Sequence, residues 1–115
     1  MNETNTNFWL ALDKLVSESK IIIDRPKGSR HPKYPDCVYP LDYGYLESTS
    51  SMDGGGIDVW KGSGGDYVDA IVVTVDLGKK DSEIKVLVGC NEDEKQLIFT
   101  AHNGEYQKGI LMRRG

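Results

Sequence analysis

The chain has 115 residues, enough for one domain with a modest core. Its net charge of −4 argues against a general basic face for nucleic acid. Two cysteines, Cys37 and Cys90, make no disulfide framework and read as the reduced thiols of a cytoplasmic protein, with a lone bridge between them as the alternative. Residues 1–7 are polar without the charged-then-apolar pattern of a secretion signal, and no apolar run approaches membrane-spanning length.

Phe8, Trp9, Leu12, Leu15 and Val16 recur at helical spacing, which predicts a helix over about residues 6–18, with Asn5, Thr6 or Asn7 as its cap. Lys20 to Asp24 holds three consecutive isoleucines and reads as a buried strand that Pro26 ends. Pro26, Pro32, Pro35 and Pro40 make residues 26–42 a stiff, irregular loop. Residues 46–52 are polar and loop-like. A short strand over 57–60 follows the triple glycine Gly54-Gly55-Gly56, whose simplest role is a tight turn. Residues 69–77 and 84–90 read as two strands, and the charged turn 78–82 suits a hairpin between them. Asn91 caps a second helix over about 92–101, with Glu94 at the capping-box position, and Asn103-Gly104 ends it. Residues 109–114 suit a last short strand. No repeat or linker divides the chain. The expectation is one mainly β (α+β) domain over 1–115: an N-terminal helix, a small closed or partly closed barrel over about 20–90, and a C-terminal helix with tail over 91–115.

Three sets of side chains carry possible chemistry. Asp53 and Asp58 bracket the triple glycine, and carboxylates a few residues apart in a turning segment can converge on one cation; hard oxygen ligands suit magnesium, with manganese as an alternative. Asp69, Asp76, Asp81 and Glu83 lie in and after the next strand, where a solvated hairpin is the plain explanation for Asp81 and Glu83. Arg25, Lys27, Arg30, His31 and Lys33 form a basic cluster able to make charge-assisted hydrogen bonds to phosphate; for Lys27 and His31 a basic surface loop is the simpler reading. Tyr39 and Tyr43 can donate to phosphate oxygens, although a lone tyrosine is more often a packing residue. The two histidines and two cysteines lack zinc-site spacing, and the glycine run has no Gly-Lys-Ser/Thr after it.

The stretch Val38-Tyr39-Pro40-Leu41-Asp42-Tyr43-Gly44-Tyr45, followed by Met52-Asp53-Gly54-Gly55-Gly56-Ile57-Asp58-Val59-Trp60-Lys61, resembles the family I soluble inorganic pyrophosphatases. Their corresponding segment reads Tyr-Pro-x-Asn-Tyr-Gly-Tyr, then Asp-Gly-Asp-Pro-x-Asp. The resemblance covers about residues 20–90 and implies an OB-like barrel with helices packed outside it. It also implies magnesium-dependent hydrolysis of pyrophosphate to two phosphates by a trimmed, divergent member. Metal-binding roles then fall to Asp53, Asp58, Asp76 and Asp81, or to Glu83 in place of Asp81 if the alignment is fixed on Lys85. Lys85, Tyr43, Tyr39, Arg25 and Lys33 take phosphate. Arg25 and Lys33 come from two competing alignments of Ile23-Asp24-Arg25-Pro26-Lys27-Gly28-Ser29-Arg30, only one of which the chain has room for. Catalysis is expected of Asp53, Asp58, Lys85, Tyr43 and Asp42.

One departure is serious. Gly55 stands where the family has its middle aspartate, so a weakened nucleophile-generating site is expected, with Asp42 as a substitute ligand and Glu47 as a weaker one. The competing expectations are a non-catalytic phosphate- or nucleotide-binding module on the same fold, and a structural subunit that docks a partner through Phe8 and Trp9. Bacterial family members assemble into symmetric oligomers, so self-association is also among the expectations, whereas nucleic acid and membrane partners are not.

Overall fold

The computed structural model describes residues 3–51 and 54–115. Helix α1 spans Glu3–Ser17, followed by strands β1 (Ile21–Arg25), β2 (Asp42–Leu46), β3 (Ile57–Lys61), β4 (Val68–Asp76) and β5 (Asp81–Val88), helix α2 (Glu92–Ala101) and strand β6 (Gln107–Arg113). The six strands form one mixed sheet in the order β1-β2-β3-β5-β4-β6. All neighbours are antiparallel except β3 and β5, which run parallel.

The predicted strands, the hairpin and both helices are present, with three differences. Helix α1 starts before Asn5, Thr6 and Asn7, because no proline or glycine interrupts the polar residues ahead of Phe8. An unpredicted strand, β2, forms from Asp42-Tyr43-Gly44-Tyr45-Leu46 and pairs on both edges. Gly44 is obligatory there: a β-carbon at this position would fall on the backbone of Ile22 in β1. Finally, the sheet does not close into a barrel, since β1 and β6 stand at its two ends.

Alternation along the strands divides the core in two. On one face α1 packs Val16, Trp9, Leu12 and Leu15 against Leu46, Val59, Val86 and Val88. On the other, Ile98 of α2 packs with Trp60, Ala70, Val72, Leu87, Tyr39 and Leu41. A register shift between Val68 and Ala70 lets these two residues of β4 serve opposite faces.

Helix α2 begins as its sequence dictates. The Asn91 side chain accepts from the Glu94 backbone N–H at 2.8 Å, and Glu94 Oε1 accepts from the Asn91 N–H at 2.9 Å. Glu94 also receives the Ser63 N–H and hydroxyl, which ties the glycine-rich loop 62–65 to the helix start. No helix among the described residues is long and apolar enough to cross a membrane.

Candidate functional site

The parallel pairing of β3 with β5 sets Asp58 directly beside Lys85. Lys85 Nζ donates to Asp58 Oδ2 at 2.5 Å, to Glu83 Oε1 at 3.0 Å and to the Tyr43 hydroxyl oxygen at 3.2 Å. Glu83 and Lys85 share a face because they are two apart on β5. Burial works against the Lys85 ammonium, but Tyr43, Asp58 and Glu83 more than offset it and hold its pKa above the usual lysine value. Burial likewise pushes the Tyr43 phenol up, so it is a neutral O–H group at any ordinary pH.

This cluster opens on a cavity of about 430 Å³ on the α2 face of the sheet. Besides Asp58, Glu83, Lys85 and Tyr43, the walls carry Arg25, Tyr39, His31, Lys79, Trp60, His102 and Gln107. Arg25 leaves β1 where the register shifts, and its guanidinium donates to the Tyr39 hydroxyl at 2.6 Å. The rings of Tyr39, Tyr43 and Trp60 pack as a triangle, with Tyr39 5.4 Å from Tyr43 and 5.9 Å from Trp60, and Tyr43 4.6 Å from Trp60. One wall is therefore a packed aromatic cluster with cations at its edges.

A second chain of contacts fixes that wall. The Trp60 indole N–H donates to His102 Nε2 at 3.0 Å. An indole nitrogen can only donate, so Nε2 is the unprotonated nitrogen, and Nδ1 carries the proton toward Gln107 Oε1 at 2.7 Å. Gln107 in turn donates to Asp76 Oδ2 at 3.4 Å. Burial depresses the His102 pKa, which agrees with a neutral ring.

The structure gathers Asp58, Lys85, Tyr43, Tyr39 and Arg25 at this cavity and leaves other expected residues elsewhere. Asp76 and Asp81 face each other across the β4–β5 hairpin and do not line the cavity. The Asp76 carboxylate is engaged by the Lys79 backbone N–H at 2.9 Å, the main cause of its lowered pKa. Between the alternatives Asp81 and Glu83, it is Glu83 that stands beside Lys85. Lys33 is exposed and does not line the cavity, so of the two basic candidates Arg25 is the one at the site. Asp42 accepts the Lys27 N–H at 2.8 Å, which anchors the proline-rich loop. Gly55 is exposed in the turn, where only Gly54 of the three glycines has positive φ. Asp53 lies outside the described residues.

Sequence reading missed Lys79, Trp60, His102 and Gln107 as site residues. Lys79 sits in the turn that looked solvated, and the other three are joined only by tertiary contacts. The pairing of a lone Trp with a lone buried His carries no local signal.

The remaining question is whether these residues suit magnesium. Among the described residues no three His, Cys, Asp or Glu side chains converge on a metal-sized point. Asp58 and Glu83 nevertheless converge on one ammonium. Two hard carboxylates fit the protein's share of a magnesium shell, which keeps several waters and accepts substrate phosphate oxygens.

A scan against protein-family models finds no match to this chain. A search of curated proteins likewise finds no match.

Proposed function

We propose that this cavity binds inorganic pyrophosphate with magnesium and hydrolyses it to two phosphates, on a divergent, open version of the OB-like barrel of family I pyrophosphatases. The observation that carries the reading is the buried Lys85–Asp58–Glu83–Tyr43 cluster facing a cavity that also carries Arg25 and Lys79. A doubly charged phosphoanhydride end needs several cations and neutral donors on one side and a cation-holding carboxylate set on the other, and the cavity has both.

The roles follow from the donor inventory. Arg25 presents a planar fork of N–H donors suited to two phosphate oxygens. Lys79 adds a positive charge from the hairpin turn. Tyr43 accepts from Lys85 and gives its own proton to Asp58, which fixes that carboxylate beside the lysine. Asp58 and Glu83 would hold magnesium, whose chemistry when bound is Lewis-acid activation of water and neutralisation of phosphate charge. In the reaction the bridging P–O bond breaks and the oxygen of water forms the new P–O bond; one proton of the water stays on the phosphate it joins and the other goes to the departing phosphate. Arg25 and Lys79 balance the charge that grows on the departing phosphate.

One observation favours a second reading, binding without turnover. The acid expected at Gly55 is missing, and its proposed substitute, Asp42, is hydrogen-bonded to the Lys27 backbone instead. Phosphate release from magnesium pyrophosphate, with Asp58→Asn alongside, separates the two. Turnover that disappears in the variant supports hydrolysis. Pyrophosphate binding that depends on Arg25 and Lys85 without phosphate release supports the binding module.

A further inference from the structure

The two histidines of the chain use their ring nitrogens differently. His102 spends both, on Trp60 and Gln107. His31 spends one: its Nδ1 accepts the Lys33 backbone N–H at 3.0 Å, so the neutral ring carries its proton on Nε2. Among the described residues nothing accepts that proton, although the ring is half-buried and forms part of the cavity wall.

Local structure holds the ring in place. Residues 26–39 fold back on themselves as a hydrogen-bonded arm. Gly28 N–H donates to the Tyr39 carbonyl at 2.8 Å, Tyr39 N–H to Ser29 at 2.9 Å and His31 N–H to Cys37 at 2.9 Å, and Arg30 pairs with Val38 between them. Asp42 fastens the base of the arm through the Lys27 N–H. Pro32 disfavours helical backbone at His31, which suits its place beside the bridge. The imidazole then lies nearly parallel to the Tyr39 ring, with 11° between planes and centroids 6.4 Å apart, and Tyr34 packs on it at 5.0 Å. The ring is oriented before any ligand arrives.

Its neighbours in the cavity are cationic. Arg25 spends one guanidinium nitrogen on the Tyr39 hydroxyl, and its other N–H groups have no partner among the described residues. Lys79 lines the cavity without an ion pair among them. Slight burial, then the charges of Arg25, Lys33 and Lys79, hold the His31 pKa below its ordinary value, so above pH 7 the ring is a neutral N–H donor. Of the carboxylates in the wall, Asp58 and Glu83 are taken by Lys85, and Asp24 pairs with none of these cations. Arg25, His31 and Lys79 come from β1, the arm and the β4–β5 turn, and a shared anion relieves their mutual repulsion.

We propose that His31 is a ligand-binding residue of this cavity, its Nε2–H donating to the same phosphate group that Arg25 and Lys79 hold. The assignment rests on the pyrophosphate reading of the cavity and adds a third donor to it, on the arm rather than on the sheet.

The test is calorimetric binding of magnesium pyrophosphate to the full chain at pH 8, where the ring is neutral. His31→Leu keeps the bulk and removes the donor, and it is expected to weaken binding about tenfold, the scale of one hydrogen bond to a charged group. His31→Gln, whose amide N–H reaches the place of Nε2, should bind near the native level, as should Lys33→Met. Circular dichroism checks that each variant is folded. Should His31→Leu fail to fold, the ¹⁵N resonances of His31 in the native chain give the answer: pyrophosphate should move Nε2 and leave Nδ1 nearly still. Native-like binding by His31→Leu, binding by His31→Gln as weak as by His31→Leu, or an unmoved Nε2 overturns the proposal. Arg25→Leu separates the two readings. If it loses binding while His31→Leu keeps it, the pyrophosphate cavity stands and only His31 drops out. A native chain that binds no pyrophosphate overturns both.

Discussion

Lys85 Nζ lies 2.5 Å from Asp58 Oδ2 although the two residues are 27 apart in the chain, and their side chains are only 7% and 23% exposed. Glu83, also nearly buried, shares the same ammonium. Replacing Lys85 by Met leaves two carboxylates facing each other without their cation. Breaking a buried pair by removing one partner costs about 3–5 kcal/mol. Urea unfolding of Lys85→Met is expected to show a loss of that order, with partial recovery in the double variant Lys85→Met, Glu83→Gln. An unchanged midpoint would mean that solvent already screens the cluster.

The buried His102 predicts a pH dependence of stability. Burial holds its pKa below the ordinary 6.5, against the raising effects of Gln107 and Asp58. The unfolded chain therefore takes up a proton near pH 6.5 that the folded chain resists. Stability is highest above that pH, falls as the pH drops through 6.5 toward the folded value, and levels off below it. His31 is lowered too, by slight burial and then by Arg25 and Lys33, and acts with the same sign. His102→Gln keeps an acceptor for the Trp60 indole, and chemical unfolding between pH 8 and 5.5 should show a flatter profile for it than for the native chain. Equal slopes would remove His102 as the cause.

Gly44 should tolerate no side chain. A β-carbon there meets the Ile22 carbonyl and the Ile23 α-carbon, both backbone atoms that a rotamer change cannot move. Gly44→Ala is expected to separate β1 from β2 and to abolish cooperative thermal unfolding. A variant that melts like the native chain would show that β1 can shift to make room.

The two thiols should behave differently. Cys37 is exposed at the cavity rim, whereas Cys90 is buried, and burial pushes its thiol pKa up to about 12. Titration with a thiol-reactive chromophore should modify one cysteine in the native state and both after unfolding. Added pyrophosphate should slow the reaction of Cys37 if the ligand occupies the cavity. Fast labelling of both thiols would mean that the α2 face opens readily.

Much of the local structure was legible because its causes are local. Asn91 and Glu94 satisfy the free N–H groups at the start of α2 within one turn of chain, and the isoleucines of β1 and the valines of β4 announce strands by type alone. Strand β2 was not legible: Tyr43-Gly44-Tyr45 looked like a motif with chemistry, and its glycine answers to the backbone of another strand. Asp76 and Asp81 are the metal ligands the resemblance implies, but as partners in a hairpin register they do not line the cavity that holds Asp58.

The sequence by itself determined both helices, five of the six strands, the cap of α2, and the residue types that line the cavity. Tertiary structure decided which of them meet. The parallel β3–β5 pair joins Asp58 to Lys85, and two residues along β5 Glu83 shares its face. The packing of α2 and β6 brings His102 and Gln107 to Trp60. The physical reason is that helix caps and strand propensity act over a few residues, whereas strand order depends on which distant edges compete to bury the two faces of the sheet. The same competition left β1 and β6 at opposite ends of an open sheet.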